Sequence, residues 1–158
     1  MLFRSEEIAA GLESAQLTKG RLEVRKAAGL TFLDDSYNAN LDSMRAALET
    51  LAGFACTGRR IAVLGRMAEL GEHSPQQHRD VGAAACGVDE LCIVGGGDAP
   101  LIGEGFLAAG GRRAAVYPFP DQAACAAHLR AAAAPADLIL VKGSRSAAME
   151  KVIELLTA

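Results

Sequence analysis

Apolar and polar positions recur along this chain with two different periods, and the changes of period mark out its elements. Residues 31–33 (Thr31, Phe32, Leu33) make a short apolar run suited to a strand, whereas Met44, Ala47, Leu48 and Leu51 keep the spacing of one buried helix face. Residues 61–64 are a continuous apolar strand of the kind buried on both sides in a parallel sheet. The helix after it is signalled by Ser74 as N-cap, Pro75 at the first helical position and Gln77 closing a capping box. Residues 90–94 form another strand, followed by Gly95, Gly96, Gly97 and Asp98 and a helix through Gly103 to Ala109. Residues 114–119 make a poorer strand ended by Pro118, after which Asp121 caps a helix through His128 and Leu129 that Pro135 stops. The last strand spans 137–142 and leads to a helix burying Met149, Val152, Ile153 and Leu156.

The start of the chain breaks this rhythm. Ser5 to Leu12 reads as a short helix with Ser5 as cap and Gly11 near its end. Residues 20–26 alternate apolar with charged side chains, which predicts a strand with one wet face, and Gly29 turns it into the next strand. The pattern predicts an α/β sandwich of about six mostly parallel strands with an antiparallel edge and about five helices on its two faces.

Composition narrows the class. The chain has 158 residues, 51% of them apolar, and a net charge of −3, which suits one domain with a real core and gives no basis for non-specific nucleic-acid binding. Cys56, Cys86, Cys92 and Cys125 lie far apart and mostly in apolar segments, so they read as reduced core thiols. No apolar run reaches the length of a membrane span and no signal peptide opens the chain, which predicts a cytoplasmic protein, with monomer as the default state. His73, His78 and His128 have no partner at a metal-ligand spacing, so no metal site is expected from them. None of Lys19, Lys26, Lys142 and Lys151 follows a glycine, which excludes a Gly-x-x-x-x-Gly-Lys phosphate loop within these residues.

Two strand ends carry more polar residues than a turn requires. Asp34, Asp35, Ser36, Tyr37, Asn38 and Asn40 crowd into the turn before the first long helix, where Asn40 alone would serve as the cap. Lys142, Ser144 and Arg145 follow the last strand, where basic side chains beside the free N–H groups of a helix start make an anion site. Carboxyl ends of strands are where α/β sheets keep their ligands.

Both stretches carry a resemblance. Asp34-Asp35-Ser36-Tyr37-Asn38-Ala39-Asn40 with Asp42-Ser43-Met44 resembles the opening of the C-terminal domain of the MurF-type Mur ligases, and Leu140-Val141-Lys142-Gly143-Ser144-Arg145 with Met149-Glu150 resembles its close. Between them, Leu64 to Gly71 is similar to the family's Leu-Gly-Asp-Met-x-Glu-Leu-Gly loop. Glu69 keeps the family residue, but Arg66 stands where that loop usually has aspartate and Leu41 where proline usually follows the opening motif.

The resemblance implies a Rossmann-like C-terminal domain at residues 17–158, with residues 1–16 as a linker helix from a central domain. It implies ATP-dependent addition of D-alanyl-D-alanine to UDP-N-acetylmuramoyl-tripeptide in peptidoglycan precursor synthesis. In that family ATP and Mg2+ are held mainly by the central domain, which an N-terminal domain precedes; the C-terminal one closes over the site. Carried onto this chain, Asp35, Tyr37, Asn38 and Asn40 would meet the nucleotide, and Lys142, Ser144 and Arg145 the dipeptide or the reacting phosphate. No catalytic or metal-binding residue is assigned within these residues. The βα pattern alone leaves two other readings, a free-standing nucleotide- or dinucleotide-binding module and a non-catalytic interaction domain.

Overall fold

The computed structural model describes residues 20–157, and the helix expected over residues 5–12 lies outside them. Six strands form one sheet: β1 (Glu23–Ala27), β2 (Leu30–Asp35), β3 (Arg60–Gly65), β4 (Glu90–Val94), β5 (Val116–Phe119) and β6 (Leu138–Lys142). Their order is β1-β2-β6-β3-β4-β5, with only the β1–β2 pair antiparallel. Five α-helices are described: α1 (Leu41–Gly53), α2 (Ser74–Ala84), α3 (Pro100–Ala108), α4 (Gln122–Ala132) and α5 (Glu150–Thr157). The architecture is the one the periodicity predicts.

The two-residue period of the strands sorts the core into two layers. Leu33, Ala62, Leu64, Leu91, Ile93 and Leu140 face α1, α2 and α3, while Phe32, Ile61, Val63, Cys92, Ile139 and Val141 face α4 and α5. Each fully buried Leu, Ile or Phe contributes about 1.5–3 kcal/mol relative to exposure, so the sheet is stabilised from both sides. The helix that follows β6 thus lies on the opposite face from those that follow β2 and β3, its neighbours in the sheet. Chains leaving to opposite faces open a crevice at the carboxyl ends of such strands.

Four local expectations are corrected. Ser74 is not the N-cap of α2: a 3-10 turn at Gly71–His73 feeds directly into the helix, so Ser74 already has helical angles and its hydroxyl donates to Asp98 at 2.6 Å. Pro118 does not end β5, because β5 is an edge strand whose missing N–H disturbs no ladder. On β1 the wet face carries Val24 and Lys26, while Arg25 turns inward to the buried Asp34 carboxylate at 2.7 Å. A fully buried carboxylate demands a cation more strongly than an edge strand demands an apolar inner face.

The fourth correction concerns the last helix. It does not begin beside Arg145. A 3-10 turn at Arg145–Ala147 and the left-handed Ala148 (φ 48°) separate the strand from α5, which starts at Glu150. The Ser144 N–H is spent on the Arg66 carbonyl at 2.9 Å. Gly65 and Gly143 make room for Met149 under this turn, since a Cβ on either would come within 2.6 Å of its side chain.

Candidate functional site

The crevice beside β6 brings the two polar stretches together. Asp35 and Lys142 are register partners on β2 and β6, and the Lys142 ammonium lies 2.6 Å from Asp35 Oδ2 and donates to the Asn38 carbonyl at 2.8 Å. Lys142 is 2% exposed, so its charge is spent mainly inside, tying the Asp35–Asn40 turn to the end of β6. Asp35 also accepts from the Leu22 N–H at 3.1 Å but keeps an accessible edge, its side chain being 17% exposed. A carboxylate has about four acceptor positions, so acceptor capacity remains for a ligand's hydroxyls. Asp34, its neighbour in sequence, differs: it is wholly buried and satisfied by Arg25 and by the N–H and hydroxyl of Ser36.

The remaining residues of the turn divide their groups between structure and solvent. Asn40 caps α1, accepting from the Ser43 N–H at 2.8 Å while the Ser43 hydroxyl accepts from the Asn40 N–H, a capping box. The Asn38 side-chain oxygen accepts from the Ala39 N–H at 2.8 Å, which leaves its amide NH2 as donor. Asp35, Tyr37, Asn38, Asn40 and Lys142 line one hollow of about 310 Å³. Tyr37 is 39% exposed, with the guanidinium carbons of Arg21 and Arg145 lying 4.7 and 5.2 Å from its ring centroid.

A second hollow of about 520 Å³ opens on the other side of the turn, lined by Tyr37, Asn38, Glu69, Ser144, Arg145 and Ser146. Arg145 therefore faces the Asp35–Asn40 turn from the neighbouring strand end. Ser144 is buried, its hydroxyl 3.2 Å from that of Ser146, and Arg66 donates to the same Ser146 hydroxyl at 3.1 Å. Glu69, in left-handed conformation (φ 62°), belongs to the loop after β3. That loop is held by His78, which is buried and accepts the Met67 N–H at 2.9 Å through Nε2 while its Nδ1 lies 2.7 Å from the Ser74 carbonyl. A carbonyl partner requires the proton on Nδ1 and an N–H partner requires Nε2 bare, so this histidine is neutral.

All seven sequence-derived residues thus meet at one crevice, although five of them, Asp35, Asn38, Asn40, Lys142 and Ser144, also spend groups on building it. Arg21, Glu69 and the His78 support complete it. Arg21 had no signal in sequence, being an ordinary charged residue ahead of an edge strand. The chemistry on offer is recognition: hydroxyl acceptors at Asp35, an amide at Asn38, an aromatic face at Tyr37 and a forked cation at Arg145.

The amino ends of the strands hold the other large polar cluster. Arg59 donates to Asp137 at 2.7 Å and to Glu90 at 2.8 Å, and Glu90 also meets His128 at 2.7 Å. Burial works to raise the Asp137 pKa, but the hydrogen bonds from Arg59 and from the Ala134 and Arg59 N–H groups hold it below the ordinary carboxylate value. Hydrogen bonding to Asp137 in turn raises the Arg59 pKa, against the desolvation that lowers it. His128, which has no partner at a ligand spacing in the sequence, is paired through tertiary structure with Glu90, 38 positions away.

Known proteins resemble both the sequence and this geometry. Over 96% of its length the chain is 36% identical to the UDP-N-acetylmuramoyl-tripeptide--D-alanyl-D-alanine ligase of Mycobacterium leprae, and 39% identical to that of Escherichia coli over the same share. It spans about a third of the length of these relatives, 32% in each case. Among solved structures it superposes on a MurF of Acinetobacter baumannii with a TM-score of 0.80 at 33% identity, covering 99% of this chain and 34% of that one. The MurF ligase of Thermotoga maritima, solved in complex with ADP, gives 0.78 at 27% identity over 91% of this chain and 32% of that one. The family model for the Mur ligase glutamate ligase domain matches residues 20–145, from the turn that precedes β1 to the arginine over Tyr37, and the chain belongs to that family.

Proposed function

We propose that this chain is the C-terminal part of an ATP-dependent ligase that adds D-alanyl-D-alanine to UDP-N-acetylmuramoyl-tripeptide. The observation that carries the reading is the meeting of the Asp35–Asn40 turn with Lys142, Ser144 and Arg145 at one switch-point crevice. Identity of 36–39% to ligases of this activity along nearly the whole chain supports it. Residues 1–16 join the domain to a central domain, preceded by an N-terminal one, the working protein is cytoplasmic, and the 158-residue chain by itself is a monomer. Among the described residues no helix is long and apolar enough to cross a membrane.

Asp35, Tyr37, Asn38 and Asn40 form the nucleotide side of the crevice. The Asp35 carboxylate suits paired ribose hydroxyls, and the solvent-facing Tyr37 ring and Asn38 amide line the same pocket. Arg145 takes the carboxylate of the dipeptide, because a planar guanidinium can make two parallel hydrogen bonds to it. Asp35 already carries Lys142, so these residues offer no carboxylate pair for a divalent cation; Mg2+, with the phosphates, belongs to the central domain. ATP supplies activation of the tripeptide carboxyl, and this domain's residues position the nucleotide and dipeptide and exclude water as the domains close.

The test has two arms. The 158-residue chain alone is expected to release no phosphate from ATP, whereas the protein encoded by the whole reading frame is expected to release it only when both D-alanyl-D-alanine and UDP-N-acetylmuramoyl-tripeptide are present. Turnover by the chain alone, or a whole protein indifferent to the dipeptide, would overturn the reading.

A further inference from the structure

Away from the crevice, one cluster combines the donor atoms that soft divalent metals prefer. Glu90 and Cys92 lie two apart on β4 and therefore project to the same side of the sheet, while Cys125 and His128 lie three apart on α4, which packs on that face. The His128 Nε2 is 2.7 Å and the Cys92 Sγ 3.5 Å from Glu90 Oε1, and one ligand atom from each of the three residues lies within 4.8 Å of the others. Cys125 is fully buried in the same layer of the core as Cys92. A tetrahedral zinc ion with bonds of about 2.0–2.3 Å separates its ligand atoms by roughly 3.3–3.8 Å. The ligand atoms of Glu90, Cys92 and His128 already lie near those separations.

From this geometry we infer that Glu90, Cys92, Cys125 and His128 form a binding site for a thiophilic divalent cation of the zinc class, which clamps α4 onto β4. Two thiolates, one carboxylate and a neutral imidazole around such an ion carry a net charge of −1. Arg59, already 2.8 Å from the far oxygen of Glu90, compensates it. Thiolate ligation would release the thiol protons as the ion binds. Entry is from the His128 side: Cys92 and Cys125 are fully buried and Glu90 nearly so, but the His128 side chain is 22% exposed, between Tyr117 and Phe119. Glu90 opens its strand, so the site sits toward the opposite end of the sheet from the crevice. Its role is structural.

The test is titration of the reduced, metal-free 158-residue chain with cobalt(II) chloride. One equivalent is expected to give the visible bands of tetrahedral cobalt and a near-ultraviolet thiolate charge-transfer band, both displaced by zinc, with a melting temperature that rises with ion concentration. Cys92→Ser is expected to abolish the charge-transfer band or reduce it by half or more. The partly exposed His128→Gln, which keeps a hydrogen-bonding side chain toward Glu90, is expected to weaken binding at least tenfold while leaving the far-ultraviolet dichroism of the apo chain unchanged. His73→Gln, at an exposed position, should bind as the parent does. Absence of the bands, an octahedral spectrum, a Cys92–Cys125 disulfide forming in place of the complex, or binding indifferent to His128→Gln would each overturn the site.

Discussion

The two ends of the sheet are both crowded with charge, and they use it in opposite ways. At the amino end, Arg59, Glu90, His128 and Asp137 face one another, and Asp137 alone accepts from the Arg59 side chain and from the Arg59 and Ala134 N–H groups. At the carboxyl end, one ion pair, Asp35 with Lys142, is buried as a foundation, while Tyr37, Asn38 and Arg145 are left facing two hollows. A high density of polar residues therefore does not by itself mark a nucleotide or substrate site. What marks it is donor and acceptor capacity that the fold leaves unspent, set where helices part to opposite faces.

The sharpest way to break this contrast is to remove the foundation at the carboxyl end. Asp35→Ala strands the buried Lys142 ammonium, and losing one partner of a buried pair costs about 3 kcal/mol or more. Chemical denaturation should record that loss, and adding Lys142→Met should recover more than half of it. A stability unchanged by Asp35→Ala would reduce the residue to a ligand contact alone.

At the amino end, Asp137→Ala should cost about 2–4 kcal/mol, because the N–H groups of Arg59 and Ala134 lose their acceptor along with the Arg59 guanidinium. The KM for ATP of the whole ligase should stay where it was. The folded-state pKa of Asp137 lies below the unfolded value of about 3.9. Its stabilisation is therefore fully present above that value and is lost as pH falls through the folded pKa. Acid denaturation should accordingly be steeper in the parent than in Asp137→Ala, and equal slopes would remove Asp137 from the ledger of acid-sensitive groups.

Arg145→Lys separates recognition from structure. It keeps the charge and loses the fork, so kcat/KM for D-alanyl-D-alanine should fall about tenfold to a hundredfold in the whole ligase, the equivalent of one charge-assisted hydrogen bond. ATP kinetics and melting temperature should change little, since Arg145 lies over an exposed ring. The smallest effect belongs to Asn40→Ala. Losing the cap of α1 should cost about 1 kcal/mol in denaturation, and a larger rise in the KM for ATP than that loss accounts for would show that its amide also meets the nucleotide.

Much of this molecule was legible because its signals are local. The buried face of α1, the caps at Asn40 and Asp121, the strand at Glu90–Val94 and the buried stripe of α5 each follow from spacing and from a single polar residue at a boundary. The seven crevice residues were legible for the same reason, lying in two short stretches of chain. The amino-end cluster was not, because Arg59, Glu90, His128 and Asp137 are strangers in sequence until the sheet brings them together. Ser74 misled for the converse reason: Ser-Pro-x-Gln is a sound cap signal, but an upstream 3-10 turn and the Asp98 carboxylate claimed the hydroxyl first.

The sequence by itself determined which segments are strands and helices, that the sheet is mostly parallel with an antiparallel edge, and which two turns carry surplus polarity. These follow from periodicity and capping, forces that act within a few residues. Only the tertiary structure decided how each charge is spent: that Arg25 turns inward to Asp34, that Lys142 is buried against Asp35 rather than offered to solvent, and that Arg145 lies over Tyr37. A charge chooses its partner by distance and burial, and both are set by strands that pair across a hundred residues of chain.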